Sequence, residues 1–577
     1  MNQPEPLEEF RSTIAKEGVD GYILYRRDPH MNEYLHPHYD QVEHLTGFTG
    51  SNAKLLVLEK EAFLFTDSRY FLQAEQELPA SIKLAGRKDD PTLLERLRAL
   101  GGGRIGVDPA YITTKEWAEM EQLNEDGGVE VVQIERDLVA GLWEDRPEIV
   151  SQSLTLMDHQ VTVEKKLVLV REKMEGKMDS LVLTNMDEIA WLTNLRGSDI
   201  PMSRLFYAFA HVTFDELVLF TDSILPGSFA TKVTVLPYAS FYQYIKKLKN
   251  QKLGASNDMN AHTSSILKKD NKLVPTEIVL NLKGVKTPKE IEGFEESNIK
   301  DAVSLCRLFG EIEEKLASGA EVGELDVSEM LLKIKQEDPA FIVPSFDTIS
   351  AFGENGAIIH YGPKDNAVKV TTSNLLLLDS GSQYTMGTTD ITRTVCFGTP
   401  SEEQVANYTN VIKGHIALER IIFPARSTVG ALDAIVRSPI WQSGLDYGHS
   451  TGHGVGYGLN VHEGPHSLDP RSSVRALPGM VVTNEPGVYI EGSYGIRHEN
   501  LMVVEEAAVK SFLKLRNLTP VPLHLALISP KMLAEQELAY INQESARIRD
   551  LLSPRLQNSP AGLKWLHANT EQLTVAH

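Results

Sequence analysis

Apolar residues along this chain fall into short runs, not long spans. Tyr22-Ile23-Leu24-Tyr25 and Leu181-Val182-Leu183-Thr184 have strand length, and Leu375-Leu376-Leu377-Leu378 reads as a fully buried strand. The runs recur in an ordered set. Leu45-Thr46-Gly47-Phe48-Thr49-Gly50-Ser51 is followed by an apolar strand and then Phe65-Thr66-Asp67-Ser68. Leu192-Thr193-Asn194-Leu195-Arg196-Gly197-Ser198 is followed by a strand and Phe220-Thr221-Asp222-Ser223. Each set follows one of the first two strands. The same parts in the same order predict two tandem, duplicated α/β domains, spanning 1–155 and 156–285. Helical signals then take over. Thr287 before Pro288, with an acidic first turn, is a helix start. Ile299, Ala302, Val303, Cys306, Leu308 and Phe309 continue the helical period to about Lys315. Residues 286–577 form a third, α+β domain, whose tail from about Lys531 reads as helical and amphipathic.

Composition narrows the class. The chain has 577 residues, enough for several cores, and 57 basic against 79 acidic residues give a net charge of −22. That balance argues against a nucleic-acid partner, since such affinity comes from basic groups displacing counterions. Two cysteines, Cys306 and Cys396, exclude a disulfide framework or a cysteine metal cluster and read as small buried residues. The opening Met1-Asn2-Gln3-Pro4-Glu5-Pro6-Leu7-Glu8-Glu9 is acidic and lacks an apolar segment, so no signal peptide is expected. No apolar run is long enough for a bilayer. The expected setting is cytoplasmic, with no membrane partner.

The third domain carries the chemistry. The Leu375–Leu378 run ends in Asp379, and after a polar turn the β-branched run Thr388-Thr389-Asp390-Ile391-Thr392-Arg393-Thr394-Val395 returns. The midpoint of Asp379 and Asp390 lies between Tyr384 and Thr385, so the two acids are expected to face each other across a hairpin. Val481-Val482-Thr483-Asn484-Glu485 and Ile496-Arg497-His498-Glu499-Asn500 repeat the pattern, with the midpoint of Glu485 and Glu499 at Gly492. Carboxylates facing each other at buried strand ends repel unless a cation separates them. Between the hairpins, Tyr447-Gly448-His449-Ser450-Thr451-Gly452-His453-Gly454 allows close backbone approach, and His462 follows. Four carboxylates and one imidazole suit two hard divalent cations, which can clamp and activate a water for hydrolysis. His30, His211 and His415 have no link to these acids and receive no role.

Five segments resemble the pita-bread metallopeptidases: Leu378-Asp379-Ser380-Gly381, Gly387-Thr388-Thr389-Asp390, Thr451-Gly452-His453-Gly454-Val455-Gly456, Asn484-Glu485-Pro486-Gly487 and Gly495-Ile496-Arg497-His498-Glu499-Asn500. The repeated Leu-Thr-Gly-Phe region, Asp187-Glu188-Ile189-Ala190-Trp191-Leu192 and Asn355-Gly356-Ala357-Ile358-Ile359-His360-Tyr361 narrow the resemblance to the large, three-domain form of the Xaa-Pro aminopeptidase branch.

The resemblance implies two creatinase-like α/β domains ahead of a pseudo-symmetric pita-bread catalytic domain. It implies Asp379, Asp390, His453, Glu485 and Glu499 as ligands of two metal ions, with Asp390 and Glu499 bridging. The expected metal is Mn²⁺, with Co²⁺ or Zn²⁺ as alternatives. A hydroxide between the ions would attack the carbonyl before a proline, with Glu485 as proton shuttle. His360 and His462 would be catalytic and would position the substrate, alongside His453 and Arg497. A hydrogen-bond donor aimed at the developing oxyanion contributes roughly 3–4 kcal/mol. The implied partners are peptides with proline second and another copy of the chain, as a homodimer. Two other functions stay open at this point: a dipeptidase restricted to Xaa-Pro dipeptides, and a binding module that has kept the fold without the catalysis.

Overall fold

A computed structural model describes residues 6–157, 161–229 and 231–575. The first five residues of the acidic amino terminus lie outside that set. The chain divides into two compact units, Met1–Val279 and Leu280–His577.

The first unit contains the duplication. One sheet is built from β1 (Gly21–Tyr25), β2 (Lys54–Leu58), β3 (Ala62–Phe65), β4 (Lys83–Ala85), β5 (Arg104–Val107) and β6 (Glu130–Gln133). The other is built from β7 (Ser180–Leu183), β8 (Phe209–Thr213), β9 (Leu217–Phe220), β10 (Thr234–Leu236), β11 (Lys252–Ala255) and β12 (Lys272–Pro275). Their orders, β4-β3-β2-β1-β5-β6 and β10-β9-β8-β7-β11-β12, are the same topology. In each, the first strand is antiparallel to the second and parallel to the fifth.

The repeated motif has a physical cause. Helix Gln41–Thr46 ends on Gly47 at φ 73°, and helix Met186–Thr193 ends on Asn194 at φ 56°. A left-handed helix stop takes Gly first and Asn second, which accounts for the change from Gly47 to Asn194 between the copies. Thr46 and Thr193 make the same two bonds. Each hydroxyl donates to the carbonyl four residues back (Val42, Ile189) and accepts the N–H two residues ahead (Phe48, Leu195). His30 joins the two copies, through Nδ1 to Thr184 O at 2.6 Å and Nε2 to the Tyr238 hydroxyl at 2.8 Å. It is a satisfied core histidine; His211 is also buried, with Nδ1 on the Tyr244 hydroxyl at 3.0 Å.

The second unit opens on helix α1 (Pro288–Ala317), which Thr287 and Glu290 start with a reciprocal capping box. Helix α2 (Glu324–Lys335) follows. Strands β13 (Ile349–Phe352), β14 (Leu375–Ser380) and β15 (Ile391–Cys396) form a three-stranded sheet in that order. A six-stranded sheet contains β16 (Ile422–Pro424), β17 (Gly452–Gly454), β18 (Glu463–Leu468), β19 (Val481–Asn484), β22 (Asn500–Glu506) and β23 (Phe512–Asn517), in the order β16-β23-β22-β19-β17-β18. β20 (Gly487–Ile490) and β21 (Tyr494–Arg497) pair as a separate hairpin. The tail is helical, as expected: α3 (Glu535–Leu552) and α4 (Pro560–Ala568). Trp565 of α4 is fully buried, its ring 4.9 Å from that of Phe309 on α1. Cys306 and Cys396 are both buried and unpaired. Among the described residues, no helix is long and apolar enough to cross a membrane.

Candidate active site

The first hairpin corrects the sequence reading. β14 pairs with β15 so that Asp379 faces Thr392 and Ser380 faces Ile391. The turn is centred one residue further along than the midpoint of the two acids, because Tyr384 pairs with Gly387. Asp379 and Asp390 are therefore diagonal neighbours, not directly opposed. An offset of two keeps them on one face, because side chains alternate along a strand. The second hairpin follows the predicted register. Asn484 pairs with Asn500 and Gly487 with Arg497, which puts Glu485 opposite Glu499 between the two ladders. Their backbones tie elsewhere: the Glu485 N–H donates to Thr451 O at 2.8 Å, and the Glu499 N–H to Thr392 O at 3.1 Å.

The acids and histidines converge. Three overlapping groups could each hold a metal ion: Asp379, Asp390 and Glu499; His453, Glu485 and Glu499; and Asp390, His453 and His462. Within each group one donor atom per residue lies within 4.8 Å of the others. His453 Nε2 is 3.3 Å from Asp390 Oδ2 and 3.4 Å from Glu485 Oε1. Its Nδ1 lies 2.9 Å from Gly454 O. A carbonyl can only accept, so Nδ1 carries a proton, and the ring turns its Nε2 toward the acids. The His462 ring meets that of His453 edge-on at 4.3 Å.

The electrostatics of the cluster favour added positive charge. Burial pushes the Asp379 carboxyl up to about 7; Arg497 pulls it down and Asp390 pushes it up again. Burial also raises Glu485, against the pull of His453 and with the push of Asp390. Glu499 is raised by burial and then by Asp390, Glu485 and Asp379. Burial alone would lower His453, but its hydrogen bond to Asp390 and the charge of Glu485 raise it to about 9. Two carboxylate oxygens, Asp379 Oδ1 and Glu499 Oε1, are buried without a hydrogen-bond partner. Their sister oxygens accept from Arg497 Nη2 at 2.7 Å and Thr392 Oγ1 at 2.8 Å. Orphaned, buried carboxylate oxygens aimed into a cluster of hard donors are what divalent cations would satisfy.

Arg497 is more central than its sequence motif suggested. Beyond Asp379, it donates to the Tyr489 hydroxyl at 2.9 Å, Thr392 Oγ1 at 3.2 Å and Ile359 O at 3.2 Å. The last bond places the residue before His360 beside Asp379. His360 itself belongs to none of the three donor groups. The Tyr489 hydroxyl lies 2.8 Å from His449 Nε2, and His449 Nδ1 is 4.0 Å from Glu485 Oε2. His449 and Tyr489 were missed in the sequence. The available signals were spacings, four residues before His453 and four after Glu485. Tyr489→Phe removes the link between His449 and Arg497. It is expected to lower kcat/KM by about tenfold with bound-metal content unchanged. Kinetics unaltered by that substitution would take Tyr489 out of the site.

Buried acids outside the cluster hold its loops. Asp301 on α1 accepts from Ser382 Oγ at 2.9 Å, the Tyr384 hydroxyl at 2.8 Å and Thr389 Oγ1, and Lys335 Nζ lies 3.4 Å away. All three hydroxyls belong to the turn between Asp379 and Asp390. Glu324, at the start of α2, accepts from the Phe352 N–H at 2.6 Å and the Tyr361 hydroxyl at 2.7 Å, which fixes the segment carrying His360.

Comparison with known proteins agrees with this geometry. The model of Metallopeptidase family M24 matches residues 292–506, and that of the C-terminal region of peptidase M24 matches 511–573. Two Creatinase/Prolidase N-terminal domain models match 6–140 and 145–290. A "Probable Xaa-Pro aminopeptidase P" of Laccaria bicolor is 35% identical over 99% of this chain and 94% of its own. The crystal structure of an X-prolyl aminopeptidase from Caenorhabditis elegans, described as a cytosolic enzyme with a di-nuclear active site, superimposes with a TM-score of 0.95. It shares 33% identity over 99% of both chains. An Xaa-Pro dipeptidase from Bacillus anthracis aligns over its whole length but with only 64% of this chain, at 27% identity and a TM-score of 0.51. With the duplicated amino-terminal sheets, the acid hairpins and this full-length similarity together, the chain belongs to the Xaa-Pro aminopeptidase P group of M24 metallopeptidases.

Proposed function

We propose that this protein is a dinuclear, metal-dependent aminopeptidase that hydrolyses the first peptide bond of peptides with proline in second place. The observation that carries the reading is the convergence of four strand-end carboxylates and His453, with two buried carboxylate oxygens left unpartnered. Asp379, Asp390, His453, Glu485 and Glu499 would hold two ions. Asp390 and Glu499 would be shared, since each belongs to a group on either side of the cluster. Oxygen-rich donors favour Mn²⁺, and Co²⁺ or Zn²⁺ would also be accepted. When bound, the ions supply Lewis-acid polarisation of the scissile carbonyl and activation of water.

The protein's own residues do the rest. Glu485 takes up the proton released by the attacking water and returns it to the proline nitrogen as the bond breaks. His462 presents an N–H to the oxygen that gains charge in the transition state. His360, His453 and Arg497 orient the substrate, and Arg497 also holds Asp379 in place. Two further readings rest on the relatives. The described cytosolic neighbour and the two unpaired cysteines support a cytoplasmic setting, and the resemblance supports a homodimer.

Substrate length separates this reading from a dipeptidase. Both matched amino-terminal domains precede the catalytic unit, whereas the aligned dipeptidase spans much less of the chain. Assayed with added Mn²⁺, Arg-Pro-Pro is expected to be cleaved to arginine and Pro-Pro at least about tenfold faster, in kcat/KM, than an Xaa-Pro dipeptide. Turnover of the dipeptide alone would assign the chain to the dipeptidases instead.

A further inference from the structure

Glu463 directly follows His462, and the donor cluster does not use it. Its carboxylate is fully buried and meets two ammonium groups. Lys283 Nζ is 2.8 Å from Oε2, and Lys286 Nζ bonds Oε1. The three side chains are at most 2% exposed. Lys286 Nζ also donates to Lys283 O at 2.7 Å, so the two lysines act as one clamp. A buried ion pair gives a fold little net stability, because desolvation cancels most of the attraction. Such groups do fix geometry well, since each alternative position leaves a charge unpaired.

The geometry fixed here is that of His462. Glu463 pairs with Gly454, the neighbour of His453, and the β17–β18 register slips between those two positions. The approach is close: a Cβ on Gly454 would lie 2.3 Å from Glu463 O. His462 occupies the bend immediately before β18, so the anchored Glu463 fixes the backbone from which its ring projects. Glu463 is drawn into the lysine clamp, while the His462 ring meets His453 and lies near Asp390. We propose that Glu463, gripped by Lys283 and Lys286, is the positioning residue that sets the direction of His462. The segment entering the catalytic unit is thereby part of the catalytic apparatus. The proposal rests on the reading of His462 as the transition-state donor.

A double-mutant cycle in the full-length, metal-loaded protein tests it. Lys283→Met leaves Lys286 and Glu463 as a balanced pair, so the fold and the bound-metal content are expected to persist. In the otherwise native protein it is expected to lower kcat about tenfold with KM within about twofold, the cost of a misdirected donor. In a His462→Ala background the same change should lower kcat by less than about twofold, because a positioning residue has nothing left to position. Glu463→Asp, which keeps the charge but shortens its reach, is the second variant and should behave alike if Lys283→Met fails to fold. Equal losses in both backgrounds, an unchanged kcat, or lost metal would each overturn the proposal. If His462→Ala by itself leaves kcat unchanged, the role of His462 fails, and this inference fails with it.

Discussion

Asp390→Ala is expected to lower kcat/KM by at least about 10⁴-fold and to remove bound metal. Asp390 belongs to two of the three donor groups and links Asp379 and Glu499 on one side to His453 and His462 on the other. Losing it breaks two of the three donor groups. The stability of the metal-free protein should change in the opposite sense. The Asp390 charge raises the carboxyls of Asp379, Glu485 and Glu499. Removing that charge relieves repulsion, so metal-free Asp390→Asn, which keeps the shape, should melt no lower than the metal-free parent. Adding Mn²⁺ should then raise its Tm little or not at all. Near-parental turnover, or an intact metal-induced Tm rise, would remove Asp390 from the centre. A large drop in metal-free Tm would show a structural role instead.

Stripping the metal should abolish turnover, and re-addition of Mn²⁺ should restore it. The pH dependence of the stabilisation provides a sharper check. Asp379 is pushed up to about 7 in the metal-free fold, above its unfolded value near 3.8. A raised carboxyl contributes stability that is complete below its unfolded pKa and is lost as pH rises through the folded one. The metal-free protein therefore loses stability from this site between about pH 4 and pH 7. Metal needs the ionised carboxylates, so its binding strengthens over the same window. The Tm gap between loaded and stripped protein should widen as pH rises from 4 to 7, reaching about 5–10 °C with excess ion.

Buried histidines do not confuse this reading. Burial lowers His211, His466 and His524 to about 4. Their contribution is present above about 6.5 and is lost as pH falls toward 4, in both forms alike. It cancels in the difference. Calorimetry of both forms across that range measures the gap; one that is flat with pH would refute the crowded-acid account.

Much of the site was legible before folding because its signals are local. An apolar run that ends in an acid marks Asp379 and Glu485 wherever the strands go. Thr287, Pro288 and Glu290 start α1 by contacts within one turn. The second hairpin was readable because its turn is centred on Gly492, at φ 69°, midway between its two acids, so the midpoint rule gave the true register. The first was misread because its two-residue turn, Thr385-Met386, lies one residue beyond the midpoint of the two acids. Its centre is set by the pairing of Gln383 with Thr388 and Tyr384 with Gly387, which Asp301 supports from a helix some eighty residues away in sequence. His449 and Tyr489 were invisible for a similar reason: neither residue type at those positions announces a partner.

What the sequence determined by itself was the kind of each part: two duplicated sheets, a capped long helix, and strand-end carboxylates in number and type for two divalent ions. Alternation, capping and turn chemistry act over a few residues, so the chain carries them openly. What only the tertiary structure decided was which groups meet. Arg497 holds Asp379, Glu324 holds the segment before His360, and the clamp of Lys283 and Lys286 grips Glu463 behind His462. Each of these contacts joins residues distant in sequence, and each is a buried charge or polar group whose partner is fixed only when packing excludes water.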